Sequence, residues 1–374
     1  MKLILTLALV CILLASCSNK RVPPGAGIAP TAGRIPVPAV AFDPEHYICY
    51  RAGTVIIDGV IEDNEWSKAP WSSLFTDIEG DLKPAPLYDT RMKMMWDDSF
   101  LYIAAELREP HIWARLRQRD TVIYYDNDFE VFIDPDGDTH GYYEFEMNAF
   151  NTVWDLLLTR PYRDNGQVID AWDITGLKSA VKIYGTINDP SDTDEKWTVE
   201  LAFPFEVLKE WGNVPAEGTV WRMNFSRVNW KTRIENGTYV KETDPATGRP
   251  LPEFNWLWSP QGLINIHYPE MWGFVQFSAG DGSGQPVGFV MDPDEMIKQE
   301  LRNLYYAQRA YAEEKGKYSA EAGLTGAYGY IPAGIVPEIL ITMSGYEASL
   351  PDASGKGIIC INHQGQTWKQ SAKR

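Results

Sequence analysis

Residues 126–150, DNDFEVFIDPDGDTHGYYEFEMNAF, decide how the rest of the chain is read. Phe129, Val131 and Ile133 alternate with Asp128, Glu130 and Phe132. After an acidic turn, Tyr143, Phe145, Met147 and Ala149 alternate with Glu144, Glu146 and Asn148. Successive side chains of a strand point to opposite faces, so this pattern specifies two antiparallel strands with one apolar face each. If both apolar faces meet a core, the acidic residues share the opposite face and repel one another across the pair. Arg227, a bound cation or the hydroxyls of a ligand would compensate; the alternative is a face that is merely solvated.

The same alternation, punctuated by Gly, Pro, Asp and Asn, recurs from residue 46 to 278. It is visible in TRMKMMW, FLYIAAEL, TVWDLLL, KWTVELAFPF, TVWRMNFSRVNW and WGFVQFS. Helical patterning in this region is confined to DNEWSKA and PFEVLKEWG. Many short strands with few helices predict a mainly β chain, an antiparallel β-sandwich over residues 46–278. Residues 279–292 read as a Gly-rich linker to a small α+β unit over residues 293–374. That unit opens with a long amphipathic helix between Pro293 and Gly316, on which Ile297, Leu301, Leu304, Gln308 and Tyr311 fall at helical spacing. EILITMSGYEASL and KGIICINHQGQTWK then read as an antiparallel strand pair, a structural cap or a surface for a protein partner.

At the other end, residues 1–16 carry one lysine and then an apolar run, the pattern of a secretory signal peptide. The box Leu14-Ala15-Ser16-Cys17 resembles a bacterial lipoprotein signal, which implies lipid on Cys17 and a mature chain that starts there. An ordinary signal peptide with an incidental cysteine is the alternative. Residues 17–45, rich in Pro, Gly and Ala, read as an extended, poorly ordered tether. No other stretch approaches the ~20 apolar residues of a spanning helix. The lipid is then the only expected membrane attachment, at the cell envelope and in its outer membrane, since Ser18 gives no retention signal.

A net charge of −17 argues against a nucleic-acid partner, which needs a basic footprint. The 14 tryptophans exceed ordinary core needs and suggest stacking platforms. Cys49 and Cys360 form either a disulfide or two buried thiols. His46, His111, His140, His267 and His363 show no paired spacing for zinc, and no G-x-S-x-G marks a nucleophile. The turn fails the EF-hand register, because Gly137 is its fourth residue and the sixth is required. Asp134, Asp136 and Asp138 remain a candidate calcium set of another kind, and calcium is the one cofactor the sequence leaves open. A glycosidase using two of the carboxylates also stays open.

The blocks VIIDGVIEDNEWSKA, MKMMWDDSFLYIAAELRE, YDNDFEVFIDPDGDTHGYYEFEMNAFNTVWD, KWTVELAFPFEVL, WRMNFSRVNW and HYPEMWGFVQF occur in that order. Together they resemble family 9 carbohydrate-binding modules over about residues 54–278. The resemblance implies a sandwich related to the DOMON-type folds, calcium in some members, and sugar recognition without catalysis. It places an aromatic at Tyr125, a sugar-bonding acid at Glu130 and polar ligand residues at Glu146 and Asn148; the hairpin itself sets Asp128 beside Tyr125 and Glu130. The second aromatic of the family clamp falls near NIHYPEMWG, where Ile266 aligns and His267 and Tyr268 stand beside it. Glu146 occupies a position that is basic in well-studied members. Arg227, on WRMNFSRVNW, either neutralises the acidic face or binds sugar. The implied function is a lipoprotein that captures or presents oligosaccharides or polysaccharides. The alternatives are a haem-binding electron-transfer domain with Met and His ligands, and a glycoside hydrolase.

Overall fold

The computed structural model describes residues 33–61 and 65–371; Cys17, the signal peptide and the first part of the tether lie outside the described residues. The chain is mainly β. One large sheet runs from edge to edge through Val168–Ile169, Val153–Leu158, Tyr142–Asn148, Asp128–Asp134, Val220–Asn229 and Gly273–Ser278. It continues through His46–Arg51, Thr90–Trp96, Phe100–Arg108, Lys196–Pro204 and Lys178–Tyr184. The sheet curls over on itself, and its two halves enclose one core. Phe129, Val131, Tyr143 and Phe145 come from one half, and Met92, Ile103, Val199 and Phe203 from the other. Phe145 meets Phe203 edge to face, ring centroids 5.2 Å apart, across the layer.

The antiparallel expectation has one exception. His46–Arg51 lies parallel to both of its neighbours, Gly273–Ser278 and Thr90–Trp96. Parallel neighbours need a long crossover, and the segment between Arg51 and Thr90 supplies one. The two stretches read as helical form only short 3-10 turns, Trp66–Lys68 and Phe205–Leu208, too brief to hold an amphipathic face. The tryptophans are chiefly core residues. Trp66, Trp197, Trp221, Trp256, Trp258 and Trp272 are fully buried.

The C-terminal unit follows its pattern closely. Its helix spans Asp294–Lys315 and stops at Gly316, whose φ of 68° is a left-handed cap that favours glycine. The expected strand pair is a four-stranded meander of Glu338–Ile341, Tyr346–Pro351, Gly357–Asn362 and Thr367–Ser371. Each quoted stretch holds a turn that divides it in two. Leu301, Leu304 and Tyr305 of the helix pack on Ala348, Ile359 and Ile361 of this sheet, and on Tyr268 and Met271 of the sandwich.

The unit is therefore joined to the sandwich by a shared core. Arg309 Nη1 donates to Asp164 Oδ1 at 2.6 Å, and the Tyr306 hydroxyl donates to Glu270 Oε1 at 2.5 Å. Part of the tether joins the same junction, contrary to its expected disorder: Ile35 is buried there, and the Ala39 N–H donates to the Gly262 carbonyl at 3.0 Å. The stretch 279–292 is also docked, with Phe289 stacked on His46 at 4.8 Å and the Val290 N–H donating to Gln276. Cys49 and Cys360 are separate buried thiols, one in each unit. Among the described residues no helix is long and apolar enough to cross a membrane.

Candidate functional site

The register of the opening hairpin places Glu130 opposite Glu146, Asp128 opposite Asn148 and Phe132 opposite Glu144. On the next strand Trp154 lies opposite Glu146 and Leu156 opposite Glu144. On the other side Ser226 lies opposite Glu130. These residues form the sheet face turned away from the core. That face is not a solvated surface: Asp128, Glu130, Glu144 and Glu146 are all buried. They lie on or under the floor of a cleft of about 410 Å³, within the range usual for small-ligand sites. Its walls come from Tyr124, Tyr162, Glu253 and His267.

The local structure explains each placement. Ile123–Tyr125 is a single 3-10 turn that carries Tyr124 over the floor, and the Tyr124 N–H donates to Glu146 Oε2 at 3.0 Å. His267 Nδ1 lies 2.9 Å from the Tyr142 hydroxyl, and the ring meets Tyr162 edge to face at 4.6 Å. Burial and the nearby Arg163 push the imidazole down to about 3, so His267 is neutral at physiological pH. Trp154 Nε1 donates to Asp170 Oδ1 at 2.9 Å, which fixes the indole at the rim.

The acids are poorly compensated. Burial, with the Ser226 hydroxyl opposing it, pushes Glu130 up to about 7; burial and the neighbouring Glu130 push Glu144 up to about 8. Burial and Glu130 also raise Asp128 and Glu146 well above the ordinary carboxylate range. Asp128 Oδ1 accepts from the Val228 N–H at 3.2 Å, but Asp128 Oδ2 and Glu144 Oε2 have no hydrogen-bond partner.

The residues read from the sequence separate clearly. Glu130, Glu146 and His267 line the cleft, and Asp128 lies just beneath it. Tyr125 does not line it: the ring is half exposed, 5.8 Å from Lys241 Nζ, and Tyr124 takes the position expected of it. Asn148 is used up by structure, donating to Leu116 O and Asp126 Oδ2 and accepting from the N–H groups of Phe150 and Thr152. Arg227 points into the core beside Phe225, where it pairs with Glu109 at 2.7 Å and neutralises none of the cleft acids. Tyr268 turns into the junction, its hydroxyl donating to the Pro36 carbonyl at 3.0 Å. Tyr124, Trp154, Tyr162 and Glu253 escaped the sequence reading. Trp154 was within reach of it, since the hairpin alternation carried one strand further puts this residue on the acidic face.

The acidic turn is a separate feature. Asp134 accepts from the N–H groups of Gly137 and Thr139, each at 3.0 Å, while Asp138 accepts from His140 at 2.7 Å and from Gln366 Nε2 at 2.8 Å. One carboxylate oxygen from each of Asp134, Asp136 and Asp138 lies within 4.8 Å of the others. Three hard oxygen donors in one turn fit calcium chemically, with exposed Asp136 as the open side. A third acidic group, Asp120, Asp155 and Asp173, is already filled by Arg119, which contacts Asp155 at 2.5 Å and Asp173 at 2.9 Å.

A family model described as Carbohydrate family 9 binding domain-like matches residues 57–247, just over half of the chain. Among curated proteins, Exoglucanase XynX of Acetivibrio thermocellus is 31% identical over 103 residues, which are 28% of this chain and 9% of that protein. Endo-1,4-beta-xylanase A of Thermoanaerobacterium saccharolyticum is 30% identical over 169 residues, 45% of this chain and 12% of that protein. The chain thus spans about a tenth of the length of these relatives. Among solved structures, a family 9 carbohydrate-binding module from Caldicellulosiruptor kristjanssonii in complex with cellotriose aligns at 18% identity and a TM-score of 0.40. The match covers 66% of this chain and 100% of that one.

The raised acids have a measurable consequence. A carboxyl whose folded pKa lies above its unfolded value keeps a proton that the unfolded chain has lost, so stability falls as pH rises between the two values. Glu130 and Glu144, raised to about 7 and about 8, should make the thermal midpoint fall from about pH 5 to about pH 8 in EDTA. Glu144→Gln should flatten that slope. Equal slopes in wild type and variant would show that the cleft acids are not coupled to folding.

Proposed function

The chain belongs to the carbohydrate family 9 binding domain-like family, and from that premise we propose a glycan-binding lipoprotein that captures or presents oligosaccharide at the bacterial cell envelope. The observation that carries this reading is the cleft itself. Carboxylates on its floor accept hydrogen bonds from sugar hydroxyls, and charge-assisted bonds of this kind are about twice as strong as neutral ones. The rings of Tyr124 and Trp154 at its edge offer faces on which the C–H groups of a pyranose pack.

Binding without turnover is the reading the carboxylate geometry favours. Glu130 and Glu146 are cross-strand neighbours on one face of the sheet, with oxygens within 4.8 Å of each other. Hydrolysis places its two carboxyls on either side of the scissile bond, about 5–9.5 Å apart. Calorimetry against a glycan panel tests the site. Tyr124→Ala and Glu130→Gln should each weaken binding by about 1–3 kcal/mol, the usual cost of losing a contact with a buried polar partner. Tyr125→Ala should leave affinity unchanged. Full affinity in the first two variants would place the site elsewhere.

The anchor reading rests on the Leu14-Ala15-Ser16-Cys17 box, with attachment to the outer membrane through lipid on Cys17. Cys17→Ala should release the protein from the membrane fraction and abolish incorporation of labelled palmitate; unchanged labelling would end this reading.

We assign calcium to the turn of Asp134, Asp136 and Asp138, where it would relieve the mutual repulsion that helps raise Asp134 and Asp138. Calcium held at a hundred times its dissociation constant should stabilise the fold by about 2.7 kcal/mol in urea denaturation. Asp136→Asn should remove most of that gain. A denaturation curve indifferent to calcium and EDTA would exclude the ion.

A further inference from the structure

We propose that the sugar taken by the cleft carries a positive charge: a pyranose with a free, protonated amine, such as the end of a deacetylated amino-sugar chain. The proposal rests on the glycan-binding reading above and specifies its ligand class. Glu130, Glu144, Glu146 and Glu253 line the cleft, and neither lysine nor arginine does. Glu144 is more than nine-tenths buried, and its Oε2 has no hydrogen-bond partner in the protein. Asp128 Oδ2, under the same floor, is also unpartnered.

The rest of the molecule shows how unusual this is. Buried Glu109 is matched by Arg227 at 2.7 Å, Asp164 by Arg309 at 2.6 Å, Glu270 by Arg163 at 2.8 Å and Glu106 by Lys196 at 2.7 Å. Glu200, without such a cation, accepts from Trp66 Nε1 and the N–H groups of Asp58 and Gly59. Buried carboxylates here receive a cation or several donors, as the cost of desolvating charge requires. The cleft acids receive neither.

A neutral sugar offers donors one hydroxyl at a time and no charge that would let these raised, crowded acids give up their protons. An ammonium group has three donors, no acceptor and a unit positive charge, which complements four carboxyl groups with no lysine or arginine among them. A bare divalent ion fits the triangle of Asp128, Glu130 and Glu146 but leaves the rings of Tyr124, Trp154 and Tyr162 and most of the 410 Å³ without a role. An amine carried on a sugar ring uses both the acids and the rings.

The test is calorimetry on the full chain in EDTA with three ligands of equal length: glucosamine oligomers, their N-acetylated counterparts and cello-oligosaccharides. The free-amine ligand should bind at least about tenfold tighter than either neutral one, an advantage that shrinks as salt screens the charges. Glu144→Gln and Glu146→Gln should each reduce that advantage, with unchanged circular dichroism and thermal midpoints no lower than wild type. Neutral ligands binding as tightly as the amine would overturn the inference and leave the glycan-binding reading intact. No binding to any of the three, nor to a wider glycan array, would overturn both. Spermine or a divalent ion binding as tightly, with the same dependence on Glu144 and Glu146, would show a general cation site and overturn the amino-sugar assignment.

Discussion

Glu130 faces Glu146 across a ladder that is buried on both sides, and the architecture of the site depends on that one juxtaposition. The register is imposed from the other face. Phe129, Val131 and Ile133 stand opposite Met147, Phe145 and Tyr143, and all six are in the main core. A one-residue slip would drive the carboxylates into that core and expose the aromatics, so the repulsion between acids is far cheaper than its removal. Burial comes second. The floor is covered by Tyr124 from one side and by Tyr162 and His267 from the other, which strips water from charges already in conflict. A fold keeps such a local conflict where something outside the protein relieves it.

The wall of Tyr162 and His267 is rigid because the residues immediately C-terminal to each are locked into the junction. Arg163 pairs with Glu270 at 2.8 Å and lies 4.1 Å from the Tyr268 ring, while Asp164 receives Arg309 and the Tyr305 hydroxyl. Arg309 and Tyr305 both sit on the C-terminal helix. The C-terminal unit is thus a buttress for one side of the cleft as well as a cap on the sandwich. A site needs such a supporting shell, since a loosely held aromatic gives up the orientation that a sugar face requires.

The fold was legible because period-two alternation is local, and the strands on either side of the acidic turn display it plainly. The helix was legible for a similar reason, its start at Pro293 and its stop at Gly316 being written in single residues. The site was half legible. Alternation put Glu130, Glu144 and Glu146 on one face, but it said nothing about whether loops would cover that face. Period two also sets Arg227 on the face of Phe225 and not on that of Ser226, and Ser226 is the residue paired with Glu130, so Arg227 falls on the side away from the acids. The choice between Tyr124 and Tyr125 depended on one 3-10 turn, and adjacent residues on a tight turn differ by about 120° in direction. Tyr268 carried no local sign that a second core, built from residues beyond 293, would claim it.

The formal charge of −17 proved less informative than the distribution of partners. Acids of three kinds coexist in this protein. Those at the junction have arginines, and their charge holds elements together. Those of the acidic turn accept from backbone N–H groups, and their charge shapes a loop. Those of the cleft have almost nothing, although they are as deeply buried as the others. Composition cannot separate these classes, because each is defined by a contact with a residue distant in sequence. The third class is where this chain departs from the basic residue that the family resemblance leads one to expect at Glu146. The proposal of a cationic sugar turns on that one change of sign, at a position whose register the core will not release.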